Sequence, residues 1–156
     1  MSVSLDAVRA LREKTSASLK DVRDALEHAG GNEDKALEWL RKRGAQIASS
    51  RQNRATGQGR VEAYVHHDGR LGAIIEVDCE TDFVARTEDF IQFCRDAAMQ
   101  VASMNPASVE ALLAQPFVKD AKTTMNDLLN GLVVKTGEKI VVRRCARFLV
   151  GEAVAA

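Results

Sequence analysis

The stretch VEAYVHHDGRLGAIIEVDC, from Val61 to Cys79, decides the fold. Val61, Ala63 and Val65 alternate with Glu62, Tyr64 and His66, and Asp68-Gly69 is a turn dipeptide. Leu71, Ala73, Ile75, Val77 and Cys79 then alternate with Gly72, Ile74, Glu76, Asp78 and Glu80. A side-chain period of two on both sides of an Asp-Gly pair predicts a β-hairpin.

Upstream of the hairpin the period is 3.6. Leu5, Val8 and Leu11, with Ala7, follow helical spacing, and Ser18 with Asp21 three residues later reads as a capping box. Leu19, Val22, Ala25, Leu26 and Ala29 form a second stripe, which Gly30-Gly31 ends. Asn32 is the N-cap of a third helix with Glu33 and Asp34 in its first turn and Ala36, Leu37 and Leu40 facing inward. Lys42 and Arg43 suit its C-terminal dipole, and Gly44 is read as its stop. A helical module of about forty residues has a marginal core, so support from the rest of the chain or a partner is expected. Residues 46–59 are polar and basic without an apolar stripe, the composition of a linker.

Downstream, Thr87 caps a long helix carrying Phe90, Phe93 or Cys94, Ala97, Val101 and Met104, and Asn105-Pro106 ends it. A short helix around 107–114, another around 122–131 and a last strand near 139–150 follow. The expected fold class is α+β: a three-helix module at 1–45, a linker at 46–59, then a three-stranded antiparallel sheet packed with helices at 60–156.

Composition sets the limits on function. The chain has 156 residues, 46% of them hydrophobic and 28% charged, enough to close a core and too ordered in pattern for wholesale disorder. No apolar run reaches the roughly 18–20 residues of a membrane span, and Met1 to Asp6 lacks a basic region followed by an apolar one, so a cytoplasmic protein without a membrane partner is expected. The 22 basic and 22 acidic side chains cancel, yet residues 1–60 hold 12 and 8 while residues 61–156 hold 10 and 14. That split is too mild to imply direct nucleic-acid binding, which needs a concentrated basic face with stacking aromatics.

Three constellations bear on chemistry. Glu76, Asp78, Glu80 and Asp82 recur at every second residue and on a continuous strand would share a face able to hold a hard cation; a solvated face neutralised by Arg143 and Arg147 across the sheet is the simpler reading, and no metal is expected. His66 or His67 with Cys79 would make a base and a thiol nucleophile, but adjacent histidines on a strand point to opposite faces, and Cys79 falls on the apolar phase, where burial makes a thiol inert. Cys79, Cys94 and Cys145 are too widely spaced and odd in number for a disulfide framework or a zinc site. No phosphate loop or catalytic triad spacing appears, so neither enzyme nor cofactor is expected. The third constellation is Glu80-Thr81-Asp82-Phe83-Val84-Ala85-Arg86, a large apolar side chain between charges on a short connection. Phe83 there either tucks into the core or is offered to another molecule.

The string CETDFVAR at Cys79 to Arg86, followed by Glu88-Asp89-Phe90, resembles the signature of the elongation factor Ts family. Agreement extends to Leu11-Arg12-Glu13-Lys14-Thr15, Ala25-Leu26, His66 to Gly72, Gln115 to Asp120, and Gly137 to Arg144, in family order along roughly the whole chain. The resemblance implies a ubiquitin-associated-type module joined to a core half-domain. It also implies a guanine nucleotide exchange factor that binds elongation factor Tu, GDP-bound and nucleotide-free, and speeds GDP release during translation elongation. Partner contacts carried over on matching positions are Thr81, Asp82, Phe83 and Val84, with Asp82-Phe83 pushed toward the magnesium and phosphate site, and Arg12, Leu19 and Lys20 of the N-terminal module. A ubiquitin-type binding module without exchange activity is the alternative reading of residues 4–44.

Where the family usually has Thr-Gly-Ala-Gly followed by two methionines, this chain has Thr15-Ser16-Ala17-Ser18-Leu19-Lys20, a turn without glycine and a contact face with an added charge. The second core half of long family members is missing, and the longer helical insertion common between the positions of Asn105 and Gln115 is reduced. Short members are thought to pair two copies. In the last strand Ile140, Val142, Ala146 and Phe148 are expected on one face and Val141, Cys145 and Leu149 among the arginines of the other, which would meet a second copy in a sheet-to-sheet homodimer with Cys145 near its axis.

Overall fold

Ser4, Ser18 and Asn32 each accept a backbone N–H from the residue three positions on, Ala7 at 3.1 Å, Asp21 at 3.1 Å and Lys35 at 3.0 Å. These side chains satisfy orphan donors of the first turn and so start α1 (Leu5–Thr15), α2 (Leu19–His28) and α3 (Glu33–Ser50). The computed structural model describes residues 3–153 and divides them into two compact units.

The first unit comprises residues up to Arg54 together with Leu129–Lys139. Val8, Leu11, Val22, Ala25, Leu26, Ala36 and Leu40 form its core, and Val134 from the later segment joins the same cluster. The marginal three-helix core is thus completed by a piece of chain far away in sequence. The α2 stripe ends as expected, with Gly30 and Gly31 at positive φ and Gly31 N–H returning to Leu26 O at 2.9 Å.

Gly44 does not stop α3. The helix runs on to Ser50, and Gly44 is buried where a Cβ would lie 2.5 Å from the Asn130 carbonyl oxygen. Its absent side chain allows two backbones to approach, a packing role that local sequence reading mistook for a cap. Lys139 Nζ then donates to the Gln52 and Arg54 carbonyls beyond the helix end, at 2.5 and 3.1 Å.

Ser16 closes α1 in the left-handed region, φ 49°, its N–H donating to Arg12 O at 2.7 Å. A Cβ in that conformation costs about 1–2 kcal/mol, against which glycine gives back part in unfolded-state entropy. Ser16→Gly is therefore expected to raise unfolding free energy by about 0.5–1 kcal/mol, measured by denaturant titration; an unchanged or lower midpoint would show the turn is not strained.

The second unit comprises Ala55–Leu128 and the residues from Ile140 on. β1 (Gln58–Val65) and β2 (Leu71–Cys79) form the predicted hairpin, and β5 (Ile140–Leu149) pairs antiparallel with β2 to give a sheet in the order β1-β2-β5. A short hairpin of β3 (Pro116–Phe117) and β4 (Asp120–Thr124) was not foreseen, since pairing this brief leaves no alternation to read. The helices are α4 (Asp82–Ala85), α5 (Glu88–Met104), α6 (Val109–Ala114) and α7 (Met125–Thr136), whose later turns belong to the first unit. α5 packs across β1 and β2, burying Phe90, Phe93, Cys94, Ala97 and Val101.

Cross-strand pairs fix which side chains meet those helices, because directly opposed residues share a face. Buried Ala73, Ile75 and Val77 oppose Tyr64, Glu62 and Arg60, so β1 turns its polar set toward α5 and its apolar set, Val61, Ala63 and Val65, to the open face. On β5 the register shifts between Glu76 and Val77, which face Arg144 and Val142 and leave Arg143 as the extra residue of a bulge. The bulge changes the phase. Ile140 and Val142 lie with Cys145, Arg147 and Leu149 on the helix face, while Val141, Arg144, Ala146 and Phe148 lie on the open face.

The expected grouping of Val141, Cys145 and Leu149 on one face is corrected accordingly. The expected neutralisation changes too: Arg144 pairs with Glu76 at 2.5 Å and Arg143 with Asp78 at 3.4 Å, whereas Arg147 reaches back to Ala102 O at 2.9 Å.

Candidate functional site

β2 ends at Cys79, so the four carboxylates do not form one ladder: Glu76 and Asp78 sit on the strand, Glu80 follows it, and Asp82 opens α4. Among the described residues no group of three or more His, Cys, Asp or Glu side chains is placed to hold a metal ion. Nor do the residues of a thiol nucleophile meet. His66 and His67 lie at the hairpin turn with rings 4.3 Å apart, not on opposite strand faces, and Cys79 lies at the opposite end of the hairpin. Cys79 and Cys94 are both fully buried, and burial pushes the Cys94 thiol up to about 12 and raises Cys145.

What remains is the turn after β2. Thr81, in extended conformation, accepts the Val84 N–H at 3.4 Å and starts the single-turn helix α4. Ala85 points into the protein and is buried; Phe83, two residues before it, is 82% exposed. Burying a phenylalanine stabilises a fold by about 1.5–3 kcal/mol, and this chain forgoes that gain. Asp82 beside it forms an ion pair with Arg86 at 3.1 Å along the turn, the Arg86 side chain well exposed and that of Asp82 half exposed. An aromatic ring and a carboxylate held outward on an anchored turn have the form of a contact that enters a cavity of another molecule.

The turn is held at both ends. Cys79 Sγ donates to Thr81 O at 3.1 Å, and Thr87 Oγ1 donates to Val84 O at 2.8 Å while accepting the Phe90 N–H at 3.3 Å as the N-cap of α5. Thr81 and Val84 are half-buried supports of this turn.

The other candidate contacts flank the turn between α1 and α2 in the first unit. Arg12 and Lys20 are exposed and Leu19 is 51% exposed. Sequence reading expected an outward apolar set on the last strand but missed the contribution of β1 and β2 to an apolar open face of the sheet. Val61, Val65 and Ile74 are exposed there, and Phe148 is 71% exposed. Its signal lay in β1, where either alternate set had to face outward and the apolar one does.

Comparison with known proteins places these features in a family. The family model described as elongation factor TS matches residues 80–156. A protein named elongation factor Ts from Rubrobacter xylanophilus is 38% identical, over 95% of this chain and 99% of its own length. Proteins of the same name from Moorella thermoacetica, 38% identical over 94% of this chain and 95% of theirs, and Solidesulfovibrio magneticus, 35% over 97% and 98%, agree. The first of these alignments spans 193 positions, more than the 156 residues of this chain, so the relative carries insertions this chain lacks. With identity at this level across nearly the full length, this chain belongs to the elongation factor Ts family.

Proposed function

We propose that this translation elongation factor is a guanine nucleotide exchange factor that binds elongation factor Tu and promotes GDP release by inserting Asp82 and Phe83 near the magnesium and phosphate site of that GTPase. The observation that carries the reading is the outward Phe83 on a turn anchored by buried Ala85 and by side-chain hydrogen bonds to the Thr81 and Val84 carbonyls. Phe83 acts as a wedge, and Asp82 disturbs the polar network that holds the cation. Arg12, Leu19 and Lys20, in the helical module expected at residues 1–45, supply a second contact to the same partner. The core half-domain expected at 60–156, apart from Leu129–Lys139, which cluster with the helical module, presents the wedge.

Exchange of this kind needs differential affinity. The factor binds the nucleotide-free partner more tightly than the GDP complex, and reciprocity makes it weaken GDP by the same factor. The test is stopped-flow release of a fluorescent GDP analogue from elongation factor Tu, in which added protein accelerates release; a rate equal to spontaneous release would overturn the reading.

The homodimer is proposed on the open face. Val61, Ala63, Val65, Ile74, Val141, Ala146 and Phe148 share the open face, and Val61, Val65, Ile74 and Phe148 are exposed on it, an apolar surface that a partner could cover. A second copy packed sheet to sheet would cover it at the usual spacing of about 10 Å. The occupied face is the one bearing Phe148, not the one bearing Cys145 and Leu149. Sedimentation at tens of micromolar is expected to report a dimer and Phe148→Glu a folded monomer; a monomeric parent would rule the pairing out.

A further inference from the structure

A helix of one turn cannot hold itself. Nucleation fixes several dihedral angles for a single hydrogen bond, so the four residues of α4 owe their geometry to what grips them from outside. Two side-chain donors do so, each on a main-chain carbonyl flanking Phe83. From the end of β2, the fully buried Cys79 gives its thiol hydrogen to Thr81 O; from the head of α5, Thr87 gives its hydroxyl hydrogen to Val84 O.

Thr87 at once accepts the Phe90 N–H, so one hydroxyl ties the end of α4 to the start of α5. α4 lies between the end of β2 and the head of α5 and packs against β1 as well. The direction in which Phe83 projects is therefore set by these two contacts together with the cap at Thr81, the inward packing of Ala85, and the main-chain bonds of the turn, among them Thr87 N–H to the same Val84 O at 3.0 Å.

We propose that Cys79 and Thr87 are positioning residues that fix the presentation of Asp82 and Phe83, a role that rests on reading those two as the part inserted into the GTPase. Neither side chain needs to touch the partner. Loosening either lets the wedge wander, which lowers the rate at which a bound factor expels GDP and leaves the wider docking surface intact.

The variants separate this role from mere stability. Cys79→Ala removes the thiol donor, and Cys79→Ser keeps a donor. Thr87→Asp keeps an acceptor for the Phe90 N–H, and so the cap of α5, but has no hydrogen to give Val84 O; Thr87→Ser keeps both. Stimulated GDP release would be measured over a range of factor concentrations beside the melting temperature. Cys79→Ala and Thr87→Asp are expected to lower the maximal rate about two- to tenfold, the worth of one hydrogen bond. The half-saturating concentration should stay close to the parent's, as should the melting temperature of Thr87→Asp. Cys79→Ala, at a fully buried position, also lowers the melting temperature, so its rate is read well below that temperature, and both serine variants should keep near-parental rates.

A second readout needs no partner: amide exchange at Val84, Ala85 and Arg86 should quicken in Cys79→Ala and Thr87→Asp. Parental maximal rates in those two variants, or serine variants as impaired as they are, would overturn the proposal. If the parent itself fails to accelerate release, the exchange reading falls, and unchanged amide protection in the variants would then remove the positioning role as well.

Discussion

Phe83→Ala is expected to slow stimulated GDP release about 30-fold, the effect of losing an aromatic anchor worth about 2 kcal/mol at the centre of an interface. It should leave the fold intact. Phe83 is 82% exposed, so truncating it removes little packing, and unfolding free energy should stay within about 0.5 kcal/mol of the parent. That combination distinguishes a wedge from a core residue, whose loss costs stability first and activity only as a consequence.

Asp82→Ala should also slow release, with a small stability change, since its exposed pair with Arg86 is worth no more than about 0.5 kcal/mol. A Phe83→Ala protein that is folded and releases GDP at the parental rate would remove the central element of the proposed mechanism.

Gly44→Ala is expected to destabilise the first unit by about 2 kcal/mol or more, read from a lowered denaturant midpoint with unchanged slope. Helix propensity argues the other way, since alanine inside a helix is favoured over glycine by about 1 kcal/mol. Packing decides the sign. The added Cβ would lie 2.5 Å from the Asn130 carbonyl oxygen and 3.0 Å from its carbonyl carbon, backbone atoms that cannot rotate aside. The helices must move apart, which loosens the core cluster that holds Leu40 and Val134. A stabilised variant would mean that the approach is looser than the geometry implies.

Gly44 also shows where local reading stops. A glycine after Lys42 and Arg43 carries every mark of a helix end, because the signals of a cap and of a close backbone approach are the same missing Cβ. Only the presence of Asn130, far along the chain, tells them apart. The bulge at Arg143 is a similar case. Strand alternation assigned each residue of β5 to a face correctly up to Val142 and in the wrong phase after it, since one unpaired residue inverts every later assignment.

Elements stated by local chemistry were legible without coordinates. The caps at Ser18, Asn32 and Thr87, the Gly30-Gly31 stop and the Asp68-Gly69 hairpin depend on side chains within a few residues of the backbone they satisfy. The motif around Asp82 and Phe83 was legible as well, but its physical reading was open between burial and exposure. Ala85 settles that choice by taking the inward place on α4, with Cys79 and Thr87 gripping the turn, so that the ring is left outside.

Sequence by itself therefore determined the helical module, the hairpin, the family and the identity of the exposed pair. Tertiary structure decided which strand face stays open, why Gly44 is glycine, and that Val134 completes the first core. The division follows the range of the interactions: caps and turns act over three or four residues and leave a local pattern, whereas burial is a property of neighbours that the chain brings together only on folding.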